Sequence, residues 1–486
     1  MISATAAEAG VETHSGHAGE YRTESGRVLC GAANWSSTQT NPLTGTEQLM
    51  EQVVDRENML RARKRVCANK GAPGIDGRKT DTLFEISPEH WHLIRNKLLD
   101  GSYEPAPVKR IDIPKPQGGV RPLGIPVVMD RMIQQAICQI LSPIFEKEFS
   151  EHSYAFRPGR SAKQAVEAAK CFQHQGFKTV VDMDLKSFFD EVNHDILMGL
   201  LRRRISDKSL LRLIRRYLTS GIMIGGLCCI PTKGTPQGGP LSPLLSNIIL
   251  NELDKELERR GHSFCRYADD CNIYVRTRRS GERVLKSIAE FVENRLKLKV
   301  NWEKSAVASP TKRTFLGFTF SGGRNSKIRV SPKAKQRFRT RVKELCRKGR
   351  GRNLENFIRY DLNPYLRGWF NYYRTADEMK SFCEEADEWI RHRLRNILWR
   401  QWKRPWTRRC NLIKLGLSEE RAVRSAFNQR GSWFNSGASH MNEALPIQYF
   451  KDRYLFSLLD HWKNWNESTE GTAVVRNRMP GGVRGR

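Results

Sequence analysis

The sequence predicts a multidomain α/β protein, and three observations carry that expectation. The chain has 486 residues, about three times an ordinary single domain, so core material is not scarce. β-Branched, apolar runs that end in carboxylates alternate with segments whose apolar residues repeat every three or four positions, the pattern of strands packed by helices. After about residue 325 the character changes to basic, tryptophan-rich sequence. Contents of 39% hydrophobic and 9% aromatic residues, with 37 Gly and 21 Pro, exclude collagen-like, knottin-like and wholly disordered chains.

The first 46 residues are rich in Ser, Thr, Gly and Ala and lack both a signal-peptide core and an Arg-rich transit pattern, so they read as a disordered tail. From Glu47 to Asn69 the apolar positions Leu49, Val53, Met59, Leu60 and Val66 predict one amphipathic helix, stopped by Gly71-Ala72-Pro73-Gly74. Val108 to Ile113 alternates as a strand, turns at 114–119 and returns through Val120 to Leu123. Met132, Ile133, Ala136, Ile137, Ile140, Leu141, Ile144 and Phe145 form a buried helix face. Thr179 to Leu185 and Phe264 to Val275 read as central strands, the second interrupted by Tyr267-Ala268-Asp269-Asp270. Between them a Gly/Pro-rich loop, 234–243, leads into a helix from Leu244 to Leu257. The Gly/Arg-rich end, 479–486, reads as disordered.

Charge is the abnormal property. Lys and Arg number 83 against 52 Asp and Glu, a net +31. Such an excess repels itself and is relieved by a polyanion, which makes nucleic acid the first partner to test. From Lys327 to Lys414 there are 25 basic against 9 acidic residues, and eight of the eleven Trp fall at or after Trp369. Eleven scattered cysteines with no C-x-x-C spacing predict neither a disulfide framework nor a zinc site. No apolar run is long enough to span a bilayer, so a cytoplasmic protein without membrane contact is expected.

Asp182 and Asp184 alternate with Val181, Met183 and Leu185, which puts both carboxylates on one side of a strand. Asp269 and Asp270 stand between Tyr267 and Ile273 in the second run. Acids on otherwise apolar strands cost several kcal/mol each, as an order of magnitude, unless a cation compensates them. Hard oxygen donors facing a polyanionic substrate suit Mg²⁺ and phosphoryl transfer. A turn or a salt-bridged pair explains either acid pair equally well when each is taken alone.

Taken together and in order, the motifs decide. VDMDLKSFFDEVNHD (181–195), GTPQGGPLSPLLSN (234–247), RYADD (266–270), LKVNWEKS (298–305) and FLGF (315–318) resemble successive motifs of reverse transcriptases. GAPGIDG (71–77), IPKPQGGVRPLGIP (113–126), FRPGRSA (156–162) and NPYLRGWFNYYR (363–374) resemble the bacterial group II intron-encoded class, the last in its maturase region. The resemblance implies a right-hand polymerase with fingers and a ferredoxin-like palm over 47–325. A helical thumb or maturase domain follows over 326–404, a small helical DNA-binding domain over 405–468, and a disordered tail from 469 to 486.

It also implies roles for single residues. Asp184, Asp269 and Asp270 would hold two Mg²⁺ ions, with Mn²⁺ as a substitute, and Asp182, outside the matched position, would be structural or would support those acids from behind. Lys115 and Arg121 would grip the dNTP triphosphate, and Lys304 would be the acid for the leaving pyrophosphate. Phe189 would exclude a ribose 2′-hydroxyl, although at least one of Phe188 and Phe189 must be core. Gln237 and Gly238 would underlie the nucleotide and template, and Phe315, Leu316 and Gly317 would hold the primer. Arg391, Arg393, Arg395, Lys403 and Arg404 are expected to meet nucleic-acid phosphate, beside an apolar stripe of Trp389, Ile390, Leu394, Ile397, Leu398 and Trp402.

The implied activity is RNA-directed DNA synthesis on the parent intron RNA during retrohoming, with maturase assistance to splicing. The implied partners are that RNA, target DNA and a primer strand, with no protein partner, in a bacterial, nucleoid-associated setting. The paired cysteines of an H-N-H endonuclease are missing after Cys410, so a primer made elsewhere is expected. A splicing-only protein and a domesticated reverse transcriptase of repair or phage defence are the alternatives.

Overall fold

The β-branched runs become strands and the three-and-four repeats become helices in the computed structural model, which describes residues 46–114, 120–224, 227–235, 238–323 and 325–477. Lys115, Gln237 and nearly all of the expected N-terminal tail lie outside the described residues. The expected hairpin is β1 (Val108–Pro114) and β2 (Val120–Ile125), with Ile113 opposite Arg121. Chain order continues with β3 (Thr179–Met183), β4 (Ile222–Ile224), β5 (Leu227–Cys229), β6 (Ser263–Tyr267), β7 (Asp270–Val275), β8 (Ala306–Ala308), β9 (Phe318–Phe320) and β10 (Ile328–Val330). One sheet has the order β2-β1-β4-β5, a second β6-β7-β3-β8, and β9 pairs with β10.

The second sheet is antiparallel throughout and carries the acids. Helices link β3 to β6, a hairpin joins β6 to β7, and the helix Arg278–Arg295 leads to β8, giving a β-α-β-β-α-β unit. Side chains alternate across it, as a pleated strand requires. Val181, Met183, Phe264 and Ile273 enter one core with the helices Val128–Glu146, Ser242–Arg259 and Arg278–Arg295. Val180, Cys265 and Tyr274 face the opposite way, into a core shared with Phe338, Phe370, Leu394 and Phe450. The acid-bearing sheet is therefore the partition between two cores.

Three boundaries differ from expectation. The N-terminal helix is two, Leu49–Val53 and Arg56–Ala68, because Asp55 accepts hydrogen bonds from the Glu57 and Asn58 amides and caps the second. The helix that carries Arg391, Arg393 and Arg395 spans Lys380–Gln401, and Pro405 opens the next helix, so the expected 404/405 boundary falls between helices that share one core. The last helix, Leu458–Asn477, passes the expected limit at 468. Every described cysteine is a free thiol. Among the described residues no helix is long and apolar enough to cross a membrane.

A buried carboxylate ties the β1–β2 hairpin to the core. Asp130 is 1% exposed and accepts hydrogen bonds from the Tyr103 hydroxyl (2.8 Å), the Tyr217 hydroxyl (3.2 Å) and the Ala106 amide (3.0 Å), just ahead of β1. All three donors are neutral, so burial prevails and pushes its carboxyl up to about 6. Unfolded aspartate titrates near 4, so between about pH 4 and about 6 the folded chain holds the extra proton. Its contribution to stability falls as pH rises through that window and is level above it. Asp130→Asn lacks this term, so its melting temperature should gain on wild type from pH 4 to 6 and hold that gain above. Parallel melting curves across the window would remove the excess proton from Asp130.

Candidate active site

Asp184 follows β3, and Asp269 and Asp270 occupy the tight turn between β6 and β7, where Tyr267 pairs with Asp270. Met183 pairs with Cys271, so the register brings the end of β3 beside that turn and gathers all three acids at one sheet edge. The turn needs an unusual backbone, supplied by Ala268 at φ +57°. Asp184 is fixed by its neighbours: its amide donates to Ser305 Oγ (3.1 Å), and its Oδ2 accepts from Asn301 Nδ2 (2.9 Å). The Lys304 ammonium lies 3.5 Å from the same oxygen.

Electrostatics marks the cluster. Burial, then the charges of Asp182, Asp269 and Asp184, push Asp270 up to about 8. Asp269 is raised by burial and by Asp184, against its own backbone hydrogen bond and the charges of Arg121 and Lys304. Mutually repelling, buried carboxylates are a site short of positive charge. Among the described residues no three His, Cys, Asp or Glu side chains converge into a ready-made metal cage. Asp184 is instead turned toward Asn301 and Lys304. The donor set, all carboxylate oxygen and short of countercharge, still fits a hard divalent cation.

Asp182 is paired: Arg313 Nε reaches its Oδ2 at 2.7 Å while Arg313 Nη2 donates to the Lys304 carbonyl (2.8 Å). Arg121 is exposed on β2, and its charge acts on Asp269 across the space between the two sheets. Phe188 is 3% exposed and belongs to the core, whereas Phe189 is only half-buried, which separates the two candidates. Gly238 lies against β2, where a Cβ would sit 2.6 Å from the Gly124 carbonyl oxygen.

The Phe315–Phe318 segment is a two-residue turn. Phe315 and Phe318 exchange both backbone hydrogen bonds at 2.9 Å, and Leu316 (φ +51°) and Gly317 (φ +81°) are both left-handed, the type I′ geometry. It is clasped from the NPYLRGWFNYYR segment. Tyr372 Oη donates to the Leu316 carbonyl (3.0 Å), and a Cβ on Gly317 would sit 2.5 Å from Tyr373 Oη. Phe318 stacks on Tyr372 with ring centroids 5.7 Å apart.

The basic helix requires a correction. Arg395 is 6% exposed and donates through Nε and Nη2 to the Leu445 carbonyl, so it is an internal strut and not a phosphate ligand. Burial, then Arg391, lower it to about 10. Arg393 is sandwiched, 4.6 Å from the Trp389 ring and 5.0 Å from the Trp433 ring. Arg391 is half-buried, and Lys403 and Arg404 are exposed. The stripe of Ile390, Leu394, Ile397 and Leu398 is buried as expected. Arg391 and Arg395 share a helix face as i and i+4 neighbours, while Arg393 stands about 200° away from each, so the three cannot present one basic face.

Sequence reasoning also missed Asn301, Ser305, Arg313 and, above all, Arg266. Arg266 and Asp254 are both fully buried, with Arg266 Nε and Nη2 donating from one guanidinium edge to the two Asp254 carboxylate oxygens at 2.7 and 2.5 Å. Arg266 also donates to Asn247 Oδ1 (3.1 Å), Ser153 Oγ (2.7 Å) and, in the acid turn itself, the Ala268 carbonyl (3.1 Å). A signal was available: Asn247, Asn251 and Asp254 recur at helical spacing among Leu250, Leu253 and Leu257. Arg266→Met should strand the Asp254 charge and lower stability by roughly 3–5 kcal/mol, whereas Arg266→Met/Asp254→Leu should recover much of that loss. Thermal unfolding of both variants decides; equal losses would show that the stranded Asp254 charge is not what the single variant loses.

Comparison with known proteins follows these features. The family described as reverse transcriptase (RNA-dependent DNA polymerase) matches residues 113–320, which include the acids, and the group II intron, maturase-specific domain matches 335–416. Protein YkfC of Escherichia coli (strain K12) is 34% identical over 333 residues, 60% of this chain and 86% of that protein. The group II intron-encoded protein LtrA of Lactococcus lactis subsp. cremoris is 30% identical over 342 residues, so the chain spans 57% of LtrA's length. A putative COX1/OXI3 intron 1 protein of Saccharomyces cerevisiae is 32% identical over 236 residues, 46% of this chain and 28% of that one. With a polymerase-type acid cluster on the sheet and a maturase-specific domain behind it, the chain belongs to the group II intron-encoded proteins, as a reverse transcriptase joined to a maturase domain.

Proposed function

We propose that this chain extends a DNA primer along an RNA template by metal-dependent nucleotidyl transfer, and that the RNA is a group II intron which it also helps to splice. The observation that carries the reading is the cluster of Asp184, Asp269 and Asp270, with Asp270 raised to about 8 and the charge of Arg121 reaching across to Asp269. In this reading the β-α-β-β-α-β unit is the ferredoxin-like palm of a right hand, β1 and β2 belong to the fingers, and residues 326–404 to the thumb. The helices over 405–468 make a small DNA-binding domain.

Asp184, Asp269 and Asp270 would hold two Mg²⁺ ions, or Mn²⁺ in their place. When bound, these would neutralise phosphate charge and activate the primer 3′-oxygen. The chain's own groups do the rest. Arg121, with Lys115, anchors the triphosphate of the dNTP. Lys304, once released from Asp184, is placed to supply a proton to the leaving pyrophosphate. Phe189 walls the sugar, Gln237 and Gly238 floor the nucleotide, and Phe315, Leu316 and Gly317 steady the primer end. A splicing-only protein has no use for buried acids that repel one another.

Asp269→Asn should abolish primer extension on an RNA template, a loss of several powers of ten at about 1.4 kcal/mol per tenfold step, while RNA affinity stays nearly unchanged. Full extension by the variant in Mg²⁺ would remove Asp269 from the mechanism.

Lys403 and Arg404, both exposed, remain expected phosphate contacts, and the buried Arg395 drops out. Neutralising both should weaken intron RNA binding and reduce the log–log salt slope by roughly 0.7 to 0.9 per lost contact. An unchanged slope in a salt titration would place the RNA on another face.

A further inference from the structure

We infer that His194 is a positioning residue for sugar selection, holding the backbone of Phe189 by bracketing a single peptide unit in the loop before Gln237. The inference rests on the reading of Phe189 as the wall against the nucleotide sugar.

A peptide unit is planar, with its C=O and N–H pointing in opposite directions. The unit between Gly234 and Thr235 is gripped at both ends. Its N–H, from Thr235, donates to the Phe189 carbonyl at 2.7 Å. Its C=O, from Gly234, accepts from His194 Nε2 at 2.7 Å, so that nitrogen carries the hydrogen. The Gly234 amide closes the loop by donating to the Val192 carbonyl at 2.7 Å.

Gly234 sits at φ +96°, and a Cβ there would meet the Phe189 and Asp190 carbonyl oxygens at 3.0 Å, so glycine is required for so close an approach. That same freedom leaves the peptide plane undefined unless side chains fix it. His194 is fitted to do so. It is 3% exposed and opens the helix His194–Arg202, whose preceding Asn193 caps it through the Asp195 and Ile196 amides. Leu197 and Leu201 anchor that helix in the core. Outside the bracket, the exposed Lys233 also pairs with Glu191 at 2.7 Å, a solvent-facing tie that does not orient the peptide.

Without the His194 donor, the Gly234 carbonyl becomes a buried acceptor with no partner and the plane is free to rotate. Rotation swings the Thr235 N–H off the Phe189 carbonyl and loosens the half-buried ring. Chemistry at the acids is untouched, so the consequence is confined to which sugar is accepted.

The test is the ratio of kcat/KM for a ribonucleotide over the matching deoxyribonucleotide on a primed RNA template, measured for the full chain, His194→Ala, His194→Asn, His194→Gln and Phe189→Val. His194→Ala should raise the ratio by about fivefold to tenfold, the size of one lost hydrogen bond. His194→Gln, whose amide nitrogen can replace Nε2, should stay near wild type. His194→Asn, too short to reach, should follow alanine and serves in its place if the alanine variant does not fold. Phe189→Val should raise the ratio further. If Phe189→Val raises it while alanine and asparagine leave it at the wild-type value, His194 is structural only and the inference is overturned. A flat ratio in Phe189→Val overturns the sugar-wall reading itself, and the His194 role falls with it.

Discussion

A guanidinium with no solvent exposure, three residues ahead of the first turn acid, holds the active centre in place. Burying an isolated charge in this way costs several kcal/mol, as an order of magnitude, so Arg266 is tolerable only because five acceptor positions surround it. Asp254 and Asn247 come from the helix Ser242–Arg259, Ser153 from the segment after the helix Val128–Glu146, and Ala268 from the acid turn. Backbone bonds at 2.9 and 3.0 Å join the same segment, His152 and Tyr154, to Arg266. The turn that presents Asp269 is therefore referenced to a helix and a neighbouring segment as well as to its own hairpin. Carboxylates that repel one another would otherwise relax by moving apart.

The same repulsion explains how a chain of net charge +31 keeps an acidic centre. Arg313 pairs with Asp182, whose charge still bears on Asp270, and binds the Lys304 backbone, so one cation holds the fourth acid and steers a second cation toward Asp184. Asp269 and Asp270 are left without a direct salt bridge among the described residues, and burial raises both. At longer range Arg121 and Lys304 act on Asp269, and Arg313 acts on Asp270. An arrangement of this kind gains most from divalent cations and phosphate arriving together.

Much of this was legible from residue order. The alternation around Asp182 and Asp184 placed both acids on one face, and the interruption of the second apolar run at Ala268-Asp269 is where the hairpin turns. What escaped the reading were contacts between segments far apart in sequence. The Arg266–Asp254 pair joins two elements that each look ordinary alone, and the cap at Asp55 was hidden inside a plausible helical repeat. Arg395 looked like surface because arginine usually is, yet its acceptor, the Leu445 carbonyl, lies fifty residues on and belongs to no motif. Lone-residue propensity says nothing about such partners.

The tyrosine clasp bears on how the two activities of this family share one chain. Tyr372 and Tyr373 belong to a segment matched by the maturase-specific domain, yet they act on the Leu316–Gly317 turn of the polymerase half. In the same segment Leu366 and Phe370 are buried, and Asn363 donates to the Tyr454 carbonyl and accepts from the Phe456 amide. That motif therefore fastens the turn before β9 on one side and the C-terminal helices on the other. Its aromatic density follows from that joint before any RNA is invoked.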